Sequence, residues 1–291
     1  MSDLRISFEF FPPKTPKMEE RLWETIRRLE PVDPRFVSVT YGAGGTTRDR
    51  THRTVKRIVE ETGMKPAAHL TCVSAAREEV LDVVSDYEAT GVGHIVALRG
   101  DPPTGIGEAF EAHPKGFSSS IELIEGIRNR FGDSFDLSVG CYPEQHPESR
   151  GLNDDIAFLK AKQDAGATQA ITQFFFEPQT YLDFVERARA GGVTMPIIPG
   201  IMLQANFEGL KRMSAAVKAH LPDWLHARYE GLENDPETRD LVTATVAADL
   251  CRKLADQGVT DFHFYTMNKA PLALATCRLL GVSPGTSDAA A

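Results

Sequence analysis

Glu9 lies in the run Ile6-Ser7-Phe8-Glu9-Phe10-Phe11-Pro12-Pro13, one acid in a mostly apolar stretch that two prolines end. Aromatic and β-branched residues favour a strand, and proline cannot continue one, so Glu9 sits near the carboxyl end of a buried strand. A carboxyl group there loses water, and burial should raise its pKa toward the range of a useful proton donor. The same acid turned outward, or paired with an arginine, would be structural only. Other polar residues end apolar runs in the same way: Thr40-Tyr41, His69, Arg99-Gly100-Asp101, Tyr142-Pro143-Glu144, Gln173 and Tyr265.

These types suggest a ligand with an anionic part and a ring rich in N–H groups. Arg99 offers a planar fork of donors suited to phosphate, or else pairs with Asp101 or Glu144. Gly100 lets the backbone approach a flat ligand closely. Gly42 to Gly45, before a helix start, would cradle phosphate or form an ordinary turn. Ser118-Ser119-Ser120 is a helix N-terminus that would bind an anion or simply cap. Asp101 can accept adjacent N–H and NH₂ groups such as a pterin carries, and the Gln173 amide can both accept and donate. Either could instead bond a neighbouring loop's backbone.

The elements that would hold this set alternate along the chain. Strands are expected at Ile6–Phe11, Phe36–Tyr41, Ala67–Cys72, His94–Leu98, Leu137–Cys141, Gln169–Phe175, Pro196–Ile201 and Asp261–Tyr265, the seventh of them cut by proline. Helices fall between them, with extra helical stretches at Phe207–Arg228, broken at Pro222, and Pro236–Gln257. The short apolar strands and the regular alternation predict a single (β/α)₈ TIM barrel over residues 1–282, with a flexible tail at 283–291. An open doubly wound sheet is disfavoured, because no GxGxxG opens a strand-to-helix turn. In a closed barrel the polar strand ends share one rim, where such folds carry their active sites.

Composition narrows the class of partner. The 291 residues carry a formal net charge of −9, which argues against nucleic acid or an anionic membrane as partner. The cysteines, Cys72, Cys141, Cys251 and Cys277, form no CxxC pair, and the histidines show no HxxxH spacing, so no metal site is expected. Free thiols in apolar surroundings suit a reducing, cytoplasmic setting.

The motifs Phe8-Glu9-Phe10-Phe11-Pro12-Pro13, Ser38-Val39-Thr40-Tyr41-Gly42-Ala43, His69-Leu70-Thr71-Cys72, Ala97-Leu98-Arg99-Gly100-Asp101, Tyr142-Pro143-Glu144, Ile171-Thr172-Gln173-Phe174-Phe175 and Asp261-Phe262-His263-Phe264-Tyr265-Thr266 occur in this order from about Ile6 to Val282. Together they resemble the methylenetetrahydrofolate reductase family in its bacterial, barrel-only form. The resemblance implies a barrel that binds FAD and reduces 5,10-methylenetetrahydrofolate to 5-methyltetrahydrofolate, with NADH or NADPH as co-substrate in a ping-pong sequence. The same residues would serve the reverse oxidation. A flavin-free pterin-binding methyl-transfer or folate-binding protein is the alternative. The resemblance further implies that Glu9 is the acid that opens the folate's five-membered ring, and that Asp101 lies between flavin and pterin. Gln173 would bind the pterin, Phe207 would stack near the substrate or the nicotinamide, and Lys269 would meet the substrate. Thr40, Tyr41, Ala43, His69, Arg99, Gly100, Asp101, Ser118, Tyr142, His146, Asp155 and Lys162 would hold FAD, with Arg99 and Lys162 at its pyrophosphate. Lys162 read alone is an ordinary solvated helix lysine. Two departures stand out: Ser118-Ser119-Ser120 replaces an Ala-x-Asp run, and Lys269 stands where arginine is common, without its planar fork. A homo-oligomer is expected from the family.

Overall fold

A computed structural model describes residues 4–41, 48–101 and 110–283. Its strands are β1 (Arg5–Phe10), β2 (Val37–Val39), β3 (Pro66–Thr71), β4 (His94–Leu98), β5 (Asp136–Cys141), β6 (Gln169–Thr172), β7 (Ile197–Ile198), β8 (Gly200–Met202) and β9 (Asp261–Tyr265). All pair in parallel, in the order β7-β6-β5-β4-β3-β2-β1-β9-β8. Strands β7 and β8 are one run interrupted at Pro199, which has no N–H to give to a ladder. The first half pairs with β6 and the second with β9, and the Pro199 carbonyl still accepts the His263 N–H at 3.0 Å. The interrupted run therefore closes the sheet into an eight-membered barrel, as the alternation of elements predicts.

Helices α1 (Pro16–Leu29), α2 (Arg48–Glu61), α3 (Arg77–Ala89), α4 (Ser120–Phe131), α5 (Leu152–Asp164) and α6 (Pro178–Ala190) cover the outside. Three more, α7 (Phe207–Val217), α8 (Asp223–Tyr229) and α9 (Pro236–Ala255), lie between β8 and β9, and α10 (Ala270–Leu279) ends the set. Their starts follow local chemistry. The Thr15 hydroxyl accepts the Met18 N–H ahead of Pro16, and Asn206 and Asp235 cap α7 and α9 in the same way.

Strand alternation sorts the side chains. Ile6, Phe8 and Phe10 pack outward with Leu22, Ile26 and the rest of the helix layer. Ser7 and Glu9 therefore face the barrel interior. A separate inner cluster holds Phe36, Ala67, Val96, Ile171 and Ile198. This is a packed barrel core, not a pore.

Toward the amino end of the barrel lies a buried polar layer. His94 Nε2 is 2.7 Å from Ser138 Oγ, and Gln169 donates to the same hydroxyl at 2.8 Å. Burial pulls the His94 pKa down from 6.5 to about 3, with Arg35 and other histidines adding to it. Below pH 6.5 the unfolded chain takes up a proton here that the folded chain refuses, so stability falls as pH drops toward 3. His94→Gln should flatten this dependence: its urea midpoint should change less than that of the parent protein between about pH 7 and about pH 5. Equal changes in both proteins would show that His94 does not set the slope.

Candidate active site

The carboxyl ends of β3, β4 and β5, with the inner face of α5, enclose a cavity of about 480 Å³. Tyr41, Arg99, Gly100, Asp101, Tyr142, His146, Asp155 and Lys162 all line it. Arg99 follows β4 directly. Its fork is filled by Glu148, at 2.7 and 2.9 Å, which holds the guanidinium firmly charged. That partner differs from both expected ones. Asp101 is adjacent in sequence but does not take the fork, and Glu144 accepts the His220 N–H instead. Gly100 has φ +87°, and a Cβ there would come within 2.8 Å of the Thr71 and Val73 side chains.

Lys162, on α5, is half-buried and donates to the Gly140 carbonyl at 2.8 Å. Burial pulls its pKa down to about 8. It is not the solvated lysine that its helix position alone suggests. Asp101 is pushed upward by burial, opposed by Arg99 and reinforced by Glu148. Burial also pushes Tyr142 up to about 12, and its ring meets the His146 ring edge-on at 4.6 Å. Asp155 fixes that loop by accepting the His146 N–H at 3.0 Å. Phe158 also lines the cavity, 42% exposed, with the Lys162 ammonium 4.7 Å from its ring centre. The sequence reading missed Phe158. The signal was available, since residues 155, 158 and 162 share one helical face.

Glu9 stands at the same mouth. Its Oε2 accepts from Ser38 Oγ at 3.3 Å, and His69 Nε2 lies 3.3 Å and His263 Nε2 3.7 Å from that oxygen. Among the described residues, Oε1 has no hydrogen-bond partner. Burial raises the Glu9 pKa, but the His263 and His69 interactions outweigh burial and bring it down to about 2. The expected upward shift is therefore reversed. Burial was legible in the apolar run, whereas the two imidazoles come from β3 and β9. His263 was not singled out, although strand alternation places it on the same face as Tyr265.

The backbone around Glu9 is held from the loop after β9. Thr266 Oγ1 donates to the Glu9 carbonyl at 2.6 Å, and the Asn268 side chain both accepts from Phe11 N and donates to Phe11 O at 2.9 Å. Met267 and Asn268 take the left-handed conformation to do so, with φ of 51° and 55°. Tyr265, whose hydroxyl donates to Thr172 O at 2.6 Å, lies within electrostatic reach of both Glu9 and Tyr142. Gly200 leaves room for it, because a Cβ there would sit 2.6 Å from the Tyr265 hydroxyl.

The remaining candidates are more dispersed. His69 sits by Glu9, and Thr71, two residues further along β3, reaches the cavity. Gln173 follows β6, and its Oε1 accepts the Phe174 N–H at 3.0 Å. Thr40 follows β2, and its carbonyl accepts from the Thr51 hydroxyl. Ser118 lies outside the cavity lining, with its hydroxyl given to Glu122 at 2.6 Å; Ser119 caps α4 and Ser120 reaches the cavity. Phe207 stacks on Tyr229 at 4.6 Å, away from the cavity lining. Lys269 points to Asp240 on α9, 3.7 Å away. Ala43, the Gly42–Gly45 turn and the expected tail beyond Ser283 lie outside the described residues.

Comparison with known proteins agrees with the sequence motifs. A family model described as methylenetetrahydrofolate reductase matches residues 2–281. The 5,10-methylenetetrahydrofolate reductase of Salmonella typhimurium is 46% identical over 282 residues, covering 97% of this chain and 92% of that protein. The enzyme of the same name from Escherichia coli K12 is 44% identical over 283 residues, again covering 97% and 92%. Among solved structures, a Clostridium thermocellum protein that binds two copies of 5-methyl-5,6,7,8-tetrahydrofolic acid superposes with a TM-score of 0.63. It covers 96% of this chain and 94% of its own at 14% identity, a likeness of fold alone. No helix of the described residues is long and apolar enough to cross a membrane.

Proposed function

The chain belongs to the methylenetetrahydrofolate reductase family, and from that premise we propose that it reduces 5,10-methylenetetrahydrofolate to 5-methyltetrahydrofolate with NADH or NADPH through bound FAD, in a ping-pong sequence. The observation that carries the cofactor part is the pairing of Arg99 and Lys162 on one cavity. A half-buried ammonium with one carbonyl partner among the described residues, on the same cavity as a guanidinium, leaves room for an anion between them. A pyrophosphate suits both cations. Gly100, which admits no side chain, and the Tyr142 and His146 rings suit a flat group further in.

FAD, when bound, carries a hydride from the nicotinamide to the folate. The chain's own groups do the rest. Arg99, held by Glu148 in the free protein, and Lys162 would hold the pyrophosphate of the cofactor. Tyr41, Tyr142, His146 and Asp155 shape the remaining walls, with Thr40 and His69 nearby. Asp101 accepts N–H groups of the pterin and sets a negative field beside it, which favours a developing cation. Gln173 orients the pterin, and Phe207 and Lys269 close on the outer part of the substrate. Glu9, the acid at the barrel mouth, is the group placed to deliver a proton as the folate's bridging carbon leaves one nitrogen, once bound substrate displaces water and raises its pKa from the low value of the free protein.

The test is direct. Purified protein should bind FAD, turn yellow, bleach anaerobically with NADH or NADPH, and recover its colour on addition of 5,10-methylenetetrahydrofolate. A protein that stays colourless and takes up no FAD would sink this reading in favour of a flavin-free folate-binding barrel.

A further inference from the structure

The cavity beside α5 has two unlike halves. Residues of β3, β4 and β5 and the turns after them, Thr71, Gly100 and Tyr142 among them, make the inner half. The loop after β5 and one stripe of α5, with His146, Asp155, Phe158 and Lys162, make the outer half. Phe158 is out of character there. Ile156 and Leu159 are buried and already anchor α5 in the core, whereas Phe158 is left 42% exposed. A lone phenyl ring on an open surface needs no explanation. This one forms part of a cavity wall, and the comparably exposed Met18, Trp224, Leu241 and Leu279 do not line that cavity.

The Lys162 ammonium lies 4.7 Å from the Phe158 ring centre, one helical turn further along α5. That contact does not cover the ring. The order of the two residues along the helix gives a direction. Helix α5 follows the carboxyl end of β5, so it starts at the barrel rim, and the step back from Lys162 to Phe158, about 5.4 Å along the axis, leads outward. A dinucleotide has two flat groups that leave its pyrophosphate in different directions. With the pyrophosphate between Arg99 and Lys162, the flavin ring runs inward, because hydride has to reach a pterin beside Asp101 and Glu9. The purine then runs outward along α5, where Phe158 presents an aromatic face one turn from the cation that meets the phosphate.

We propose that Phe158 is the stacking platform for the purine of the cofactor, so that the α5 end of the cavity is an adenosine subsite and selects FAD over FMN. This rests on the reading that the cavity holds FAD. A purine laid on the ring covers apolar surface that water now touches, and every base has a π-face that an aromatic side chain can meet. The purine also needs no hydrogen bond from Phe158, which suits a wall whose polar groups, Lys162 and Asp155, already serve the phosphate and the His146 N–H.

Binding to the cofactor-free, full-length protein tests this without any turnover. FAD and FMN are titrated by flavin fluorescence and ADP by calorimetry. Phe158→Ala and Phe158→Leu should each weaken FAD and ADP by about tenfold or more and leave FMN affinity unchanged, whereas Phe158→Trp should bind FAD at least as tightly as the parent. FMN keeps the flavin ring and one phosphate, so an effect that ran only through Lys162, or a flavin ring lying on Phe158, would weaken FMN as well, and that result overturns the proposal. Parent-like FAD affinity in both variants overturns it too, as does a leucine variant that binds like the parent, since bulk alone would then suffice. Alanine and leucine both favour helix, and Phe158 lies outside the buried core, so all three variants should keep the parent's melting temperature; if the alanine variant folds poorly, the leucine variant decides. A parent protein that takes up no FAD sinks the cofactor reading. The ADP titration then judges the platform by itself: ADP binding that depends on Phe158 upholds it, and its absence overturns it.

Discussion

Glu9→Gln should lower the rate of 5,10-methylenetetrahydrofolate reduction by about 10²–10⁴-fold, the usual contribution of a positioned general acid. NADH should still bleach the bound FAD, because that half of the cycle needs no proton delivered to a folate nitrogen. Glutamine is the right replacement. It fills the same volume and can still meet Ser38, so the barrel mouth is preserved while the transferable proton is lost. Stopped-flow absorbance separates the two halves. If bleaching by NADH collapses together with folate reduction, Glu9 is acting on the fold or the cofactor, and its assignment as acid is wrong. The variant also has a stability signature. Because the folded pKa lies below 4.5, near 2, the ionised carboxyl stabilises the native state above about pH 4.5, and that contribution is lost as pH falls toward 2. Parent and variant should therefore differ most in urea midpoint near neutral pH and converge in acid.

Lys162→Met should weaken FAD binding by about 10- to 100-fold, the loss of a charge-assisted contact worth about 1.5–3 kcal/mol. The same substitution should raise the melting temperature of the cofactor-free protein. The half-buried ammonium has one carbonyl partner among the described residues, and burial lowers its pKa; a flexible apolar side chain fills that space without the desolvation cost. Opposite signs in binding and stability are what a binding lysine kept at a thermodynamic cost should show. A structural lysine would lose stability and leave FAD affinity alone. The sign of the pH effect follows from the same group. The charged form attracts phosphate, and the free protein's Lys162 titrates at about 8, so FAD affinity should fall as pH rises through that value. Fluorescence titration with FAD at several pH values checks this. Affinity that is flat through that range, or a variant that binds like the parent, would remove Lys162 from the cofactor site.

The two experiments report on different parts of the mouth. Lys162 sits on a helix against the cavity wall, and Glu9 sits inside the barrel behind His69. They are expected to act independently, because no shared partner joins them among the described residues.

Much of the architecture was readable along the chain. Alternation in Ile6–Phe10 assigns three side chains to the helix layer and Ser7 and Glu9 to the interior, and the β9 segment Asp261–Tyr265 sorts in the same way. Pro199 marked the interruption that becomes the junction between β7 and β8. These are local consequences of side-chain period and of a missing N–H, so a single segment carries them. The rim of polar strand ends was likewise visible, because a parallel barrel sends every carboxyl end to one side.

The charge states and partners of that rim were decided only by the tertiary structure. Arg99 meets Glu148 and not the nearer acids in sequence, Phe207 lies flat on Tyr229, and Lys269 turns to Asp240. Glu9 shows the reason most clearly. Its burial can be read from its apolar neighbours, and burial alone would have made it a weak acid. The histidines that reverse the sign arrive from β3 and β9, elements far along the chain that only barrel closure brings beside it. A pKa is set by the nearest charges and hydrogen bonds as much as by loss of water, and those neighbours are a property of the closed barrel.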